Sequence, residues 1–279
     1  MRIYSGDWYT LYNGDCMDAM RSMPDASVDM VLTSPPYNTC RTSVITDHMP
    51  EKDKYINRYD VHVESRTSEE YCEWTKGLFH EFARLLKKDS VVLYNYGMGN
   101  DSHMDRSADD WLLTMRSVVE DTEFTCADML FWKKRCALPE NMSPNHATRI
   151  VEPVMVFVRK SDRLTFRANK PVISVRKNGN GEQRMYRPFY NLVEAANNDG
   201  ANPYNKATFS TEFCERLMDC YLPDDHGSDY TVMDPFSGTG TTGMACLKRG
   251  VKYVGMELSE NQCAYSKERF DGGATPLLF

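Results

Sequence analysis

Ser34-Pro35-Pro36-Tyr37 is a segment of this chain suited to chemistry on a planar amine. It follows residues 28–33 (VDMVLT), a β-branched-rich apolar run that predicts a buried strand. Two adjacent prolines cannot continue a central strand, so the chain must leave the sheet there with its carbonyls held rigidly. The Ser34 hydroxyl and the Pro35 carbonyl can accept the two N–H groups of an amine, and Tyr37 offers a flat apolar face for stacking. Such bonds favour a more tetrahedral nitrogen whose lone pair points at an electrophile. Serine is a poor base at neutral pH, so the role expected of Ser34 is hydrogen-bond acceptance, with the proton lost to solvent. The competing reading is a proline-stiffened loop carrying an incidental aromatic.

A second segment, Asp234-Pro235-Phe236-Ser237-Gly238-Thr239-Gly240, lies between a predicted strand (230–233) and a predicted helix (241–248). The next strand, 252–256, leads into Glu257. Glycines let a backbone approach a nucleotide cofactor, and an acid after the following strand accepts from ribose hydroxyls. Gly238, Gly240 and Gly243 fit GxGxxG, and a side chain at Gly240 would occupy cofactor space. No Lys follows the turn before Lys248, which excludes a P-loop. The pattern alone does not choose between cofactors and leaves a nicotinamide oxidoreductase open. Both segments follow strands, so in one parallel sheet they would share its carboxyl edge and could share a pocket.

The positioning elements are predicted by periodicity. Residues 8–13 form the first element, with Gly14-Asp15 as its turn. A helix over 69–88 carries Tyr71, Trp74, Leu78, Phe82 and Leu85 on one face, with Ser68 as N-cap and Lys87-Lys88 at its end. Strands are expected at 90–96, 124–132 and 151–158, and helices at 107–119, 209–221 and 259–270. The alternation predicts an α/β sheet with helices on both faces. Residues 39–68 lack periodicity and read as a long mobile loop.

Composition narrows the field. The 279 residues hold no apolar run near the ~18 a membrane span needs, and the first residues lack a secretory apolar stretch. Nine cysteines, an odd number without CxxC, argue against disulfides and zinc and suit a reducing cytoplasm. Cys40 is incidental to the nearby motif, and six histidines without ligand spacing call for no metal. The net charge of −7 counts against a nucleic-acid partner. Yet Arg159, Lys160, Arg163, Arg167, Lys170, Arg176, Lys177, Arg184 and Arg187 face only Asp162 and Glu182 within that span, a local charge of +7. This stripe reads either as a polyanion footprint or as a solvated loop, with Lys133, Lys134 and Arg135 as the next candidates.

With the two motifs in this order, the chain resembles the β-class DNA amino-methyltransferases, which depend on S-adenosyl-L-methionine. That family carries D/N/S-P-P-Y/F near its N-terminus and FxGxG near its C-terminus, matched here by Ser34–Tyr37 and Phe236–Gly240. Leu11–Asp15, Pro24–Asp29, Trp132-Lys133-Lys134 and Glu152-Pro153-Val154 match in register, and Lys206–Ser210 matches loosely. The resemblance implies a Rossmann-like, doubly wound methyltransferase sheet in circularly permuted order with a small inserted target-recognition segment. It divides the chain into a catalytic half (1–158), the basic target-recognition segment (159–205) and a cofactor-binding part (206–279) of the same domain. By position, Asp15, Asp234, Phe236, Ser237, Gly238, Gly240, Thr241 and Glu257 would hold the cofactor, with Lys206, Thr208 and Ser210 from the preceding segment. The nine basic residues from Arg159 to Arg187 would contact double-stranded DNA. The implied reaction moves a methyl group to the exocyclic N4 of a flipped-out cytosine, with adenine N6 as the alternative. A cognate restriction endonuclease, a homodimer and a cytoplasmic setting are further implied.

Overall fold

The computed structural model describes residues 1–37, 66–97, 110–136, 147–179, 181–200, 204 and 208–273. Two edge strands, β1 (Arg2–Ser5) and β2 (Tyr9–Asn13), precede α1 (Cys16–Ser22) and β3 (Val28–Thr33). Then come α2 (Ser68–Leu85), β4 (Leu86–Asn95), α3 (Asp110–Asp121), β5 (Phe124–Lys134) and β6 (Val151–Arg159). A hairpin of β7 (Val172–Asn178) and β8 (Gly181–Tyr186) and the short β9 (Leu192–Ala195) follow. The chain closes with α4 (Thr211–Tyr221), β10 (Thr231–Asp234), α5 (Thr241–Arg249), β11 (Lys252–Glu257) and α6 (Glu260–Gly273).

Among the described residues, nine strands form one sheet in the order β1-β2-β11-β10-β3-β4-β6-β5-β9. From β2 to β4 all neighbours are parallel, whereas β6 runs antiparallel to both β4 and β5. The sheet separates two apolar clusters. Phe213 and Leu217 of α4, Ala245 of α5 and Phe270 of α6 lie in one, and Met20 of α1, Phe79 and Phe82 of α2 and Val118 of α3 lie in the other. Helices therefore cover both faces, and the middle of each central strand is apolar because neither face meets water. Met30, Val31 and Leu32 of β3 are at most 1% exposed.

The connections diverge between β3 and β10. The chain leaves β3 toward α2 on one face and β4 on one side, and leaves β10 toward α5 on the other face and β11 on the other side. That is a topological switch point, where an open α/β sheet leaves a crevice at the carboxyl ends of its strands.

Three local expectations change. The N-cap of α2 is Thr67, not Ser68, because Thr67 and Glu70 form a reciprocal capping box. Lys87 and Lys88 belong to β4 instead of the helix end: Leu86 already pairs with Val28, and Lys87 Nζ reaches Asp29 Oδ2 at 2.7 Å. The basic segment is not one loop: Arg159 ends β6, the hairpin β7–β8 forms a separate two-stranded sheet, and β9 joins the main sheet beside β5. Residues 39–65 of the expected mobile loop, with Cys40, lie outside the described residues.

Candidate active site

The site is built on the carboxyl edge of five parallel strands. Ser34 leaves the end of β3 and Phe236 the end of β10, and these two strands are paired neighbours. The two motifs are tied directly: Thr33 Oγ1, fully buried, donates to Asp234 Oδ1 at 2.7 Å. Asp234 also accepts from Phe236 N at 3.0 Å and from Thr242 Oγ1 at 2.7 Å. Burial pushes its carboxyl up to about 6, against the pull of these three donors. Asp234 thus lies beneath the turn as its clamp, with its lone pairs committed to the protein.

The glycine turn has the backbone its sequence requires. Gly238 and Gly240 sit at φ 55° and 78°, the left-handed region that favours glycine. Gly238 N–H donates to Glu257 Oε2 at 2.9 Å, and Ser259 N–H to Glu257 Oε1 at 2.8 Å. Glu257 is half-buried at the end of β11, next to Asn13 and the Gly14-Asp15 turn that follows β2. A cradle of glycine backbone with a carboxylate placed for hydroxyls suits a nucleoside. Phe236 adds an apolar ring, 5.5 Å from that of Trp74 on α2. Both rings come from the elements that diverge at the switch point.

Several other expected cofactor residues meet the protein's own groups. A Cβ at Gly240 would meet Phe270 Cζ at 2.7 Å and Ser266 Oγ at 2.9 Å, so it is α6, not cofactor space, that excludes a side chain. Ser237 is buried and accepts from the Tyr253 hydroxyl at 2.9 Å, and Thr241 is the buried first residue of α5. Asp15 caps α1 by accepting from Met17 N–H at 2.8 Å. Ser210 caps α4, and its hydroxyl donates to Ala196 O at 2.8 Å. Thr208 is half-buried just before that cap, and Lys206 lies outside the described residues.

At Ser34–Tyr37, Pro35 is buried and the Pro36 carbonyl accepts from the Tyr71 hydroxyl at 2.8 Å. The Tyr37 ring is seated on Gly97, where a Cβ would come within 2.3 Å of it. The Tyr37 hydroxyl lies 2.6 Å from Ser34 Oγ, 3.1 Å from Asn95 Oδ1 and 3.4 Å from Glu152 Oε2. Asn95 ends β4 and Glu152 begins β6; because these strands are antiparallel, both reach the same edge. Lys134, near the end of β5, pairs with Glu152 Oε1. The sequence reading missed Thr33, Asn95 and Glu152 as site residues. For the first two the available signal was position, the last residue of a buried strand, which no spacing rule picks out.

The basic residues divide. Arg159 donates to the Leu86 and Lys87 carbonyls, Lys160 to Thr122 O at 2.7 Å, and Arg167 to Leu164 O and Phe166 O, both at 2.7 Å. Lys170 lies 5.4 Å from the Phe189 ring. Arg163 is exposed beside them. Arg176, Lys177, Arg184 and Arg187 are exposed on or just after the hairpin, with Glu182 3.8 Å from Lys177. The reserve candidates are each paired with a carboxylate: Lys133 with Glu194, Lys134 with Glu152 and Arg135 with Glu212. No helix among the described residues is long and apolar enough to cross a membrane.

Comparison with known proteins agrees with this geometry. The type II methyltransferase M.Cfr9I of Citrobacter freundii is 25% identical, spanning 96% of this chain and 90% of its own. The DNA adenine methyltransferase YhdJ of Escherichia coli (strain K12) is 21% identical, spanning 94% and 82%. Among solved structures, the PvuII DNA methyltransferase, described as cytosine-N4-specific, superposes with a TM-score of 0.68 at 17% identity, covering 97% of this chain and 92% of that one. The M1.HpyAVI–SAM complex superposes at 0.53 and 17% identity, covering 94% and 98%. A family model described as a DNA methylase, of the N6/N4 type, matches residues 28–268, from the first residue of β3 to the last helix. That span holds both motifs and the edge they share, and the chain belongs to this DNA methylase family.

Proposed function

We propose that this protein transfers a methyl group from S-adenosyl-L-methionine to the exocyclic N4 of a cytosine in double-stranded DNA. The observation that carries the reading is the Thr33–Asp234 bond of 2.7 Å, which holds an amine-accepting motif beside a nucleoside-accepting turn. The cofactor, when bound, supplies a sulfonium-activated methyl group. Glu257 would accept from its ribose, with the backbone of Gly238 and Gly240, the Phe236 ring and the turn before Asp15 around it. Ser34 Oγ and the Pro35 carbonyl would accept the two N–H groups of the target, and Tyr37 would stack on its ring. An amine inside a duplex cannot reach this edge, so the base must be flipped out. The exposed hairpin β7–β8 suits a grip on DNA, through Arg176, Lys177, Arg184 and Arg187. Residues 159–205 would then be target-recognition in their hairpin and structural where Arg159 and β9 join the sheet. The type II relatives favour a restriction endonuclease as partner.

Ser34 as the first motif residue and the likeness to the cytosine-N4-specific PvuII enzyme favour cytosine. The relative YhdJ, named a DNA adenine methyltransferase, keeps adenine N6 as a second reading. Mass spectrometry of nucleosides from DNA of cells expressing the protein separates the two. N4-methylcytosine is expected; N6-methyladenine alone would select the second reading, and neither product would refute both.

A further inference from the structure

We propose that Glu152 takes up the proton released by the target amine, through Tyr37 and Ser34; the inference rests on the reading above. As the nitrogen lone pair forms the N–CH3 bond, the S–CH3 bond breaks and its electron pair stays on sulfur. The nitrogen becomes cationic and must lose one N–H proton. Serine does not hold a second proton at neutral pH, but here it is not the end of the line. Ser34 Oγ and the Tyr37 hydroxyl are 2.6 Å apart, and Tyr37 reaches Glu152 Oε2 at 3.4 Å. With the amine donating to Ser34, the Ser34 hydroxyl donates to Tyr37 and the Tyr37 hydroxyl to Glu152. One shift along this line passes the amine proton to Ser34, the Ser34 proton to Tyr37 and the Tyr37 proton to the carboxylate. Charge balances, since a cationic nitrogen and a carboxylate become a neutral amine and a carboxylic acid.

The neighbours suit Glu152 to this end position. Asn95 Oδ1, at 3.1 Å, competes with Glu152 for the single Tyr37 O–H, but an amide oxygen does not retain a proton. Lys134 Nζ on β5 faces the carboxylate from its other oxygen, Oε1, which leaves Oε2 turned to Tyr37. Lys133, next along β5, is engaged by Glu194 of β9. Asp234 is buried under the glycine turn with its three donors. The Tyr37 ring is held against Gly97 and lies 5.7 Å from the Tyr96 ring, which keeps its hydroxyl in the line.

Glu152→Gln keeps the shape and an acceptor but cannot take up a proton, so single-turnover methylation should slow by on the order of 10- to 100-fold. The wild-type rate should fall toward acid pH, and the variant should lose that limb. Adding Asn95→Asp places a carboxylate on Tyr37's other partner and should restore both the rate and the limb. Tyr37→Phe, which keeps the ring and cuts the line, should also lose the limb. Affinity for S-adenosylhomocysteine, measured calorimetrically, should stay unchanged in all of these and reports an intact fold. A wild-type rate and acid limb in Glu152→Gln or in Tyr37→Phe would overturn the proposal, as would a loss that Asn95→Asp leaves unrestored. If the wild type itself methylates no amine, the functional reading fails; if it does and the variants match it, only the relay fails.

Discussion

Ser34 and Asp234 show how one bond type serves two purposes at this edge. Ser34 is half-buried, with its hydroxyl 2.6 Å from that of Tyr37. Ser34→Ala should leave S-adenosylhomocysteine affinity near wild type and raise the methyl-transfer barrier by roughly 3 kcal/mol, the cost of one transition-state hydrogen bond. Single-turnover kinetics beside calorimetry would check it, and equal losses in binding and rate would contradict the assignment. Asp234 is a different case, a carboxylate whose burial raises it from 3.8 to about 6 in the folded protein. A carboxyl raised in the folded state adds stability that is fully present below the unfolded value of 3.8 and is lost as pH rises through about 6. The span corresponds to about 3 kcal/mol. Thermal melts of Asp234→Asn should therefore lack the wild type's relative gain in stability between pH 6 and pH 4, and parallel curves would count against an ionised, buried Asp234.

At the scale of elements, Gly243 of α5, just after the glycine turn, serves packing. A Cβ at Gly243 would meet Phe270 Cζ at 2.4 Å and Tyr253 Cε1 at 2.9 Å. Gly243 lets α5 lie close against α6 and β11. Gly243→Ala should lower stability by about 1–3 kcal/mol, with partial recovery when Phe270→Leu is added; a neutral outcome in denaturant melts would contradict the close approach. The hairpin β7–β8 poses the opposite problem, since its residues are exposed and the role proposed for it is electrostatic. Replacing Arg176 and Lys177 with Ala should weaken DNA binding and lower the log–log salt slope by ~0.9 for each phosphate that is no longer neutralised. Arg159→Ala should instead lower stability, because its guanidinium serves the Leu86 and Lys87 carbonyls. An Arg159 variant with full stability and a reduced salt slope would reverse these two roles.

For the whole molecule, the decisive arrangement is that both ends of the chain meet in one sheet. β2 and β3 come from the first residues and β10 and β11 from the last, and the later pair lies between the earlier two as β2-β11-β10-β3. A ligand at their carboxyl ends therefore bridges the two apolar clusters and should stabilise them together. S-adenosylhomocysteine at 100 times its Kd should add about 2.7 kcal/mol. One thermal transition should move as a unit, by on the order of 5–10 °C. Two transitions with only one responding would show that the clusters melt independently.

The residues themselves announced the chemistry. Ser34–Tyr37 and the Phe236–Gly240 turn are read from local rules, because prolines and glycines dictate backbone shape within a few residues whatever surrounds them. The α/β alternation and most strand positions were equally legible, since a strand buried on both faces must be apolar along its length. What the sequence could not carry is pairing between residues far apart in the chain. Thr33 meets Asp234 across 201 positions, and Tyr37 meets Glu152 across 115. Arg159 and Arg176 look alike as residues of one basic stripe, yet one is turned into backbone carbonyls and the other into solvent. A side chain's neighbours depend on sheet order and strand direction, which are settled by burial of the whole molecule and leave no local trace at the residue concerned.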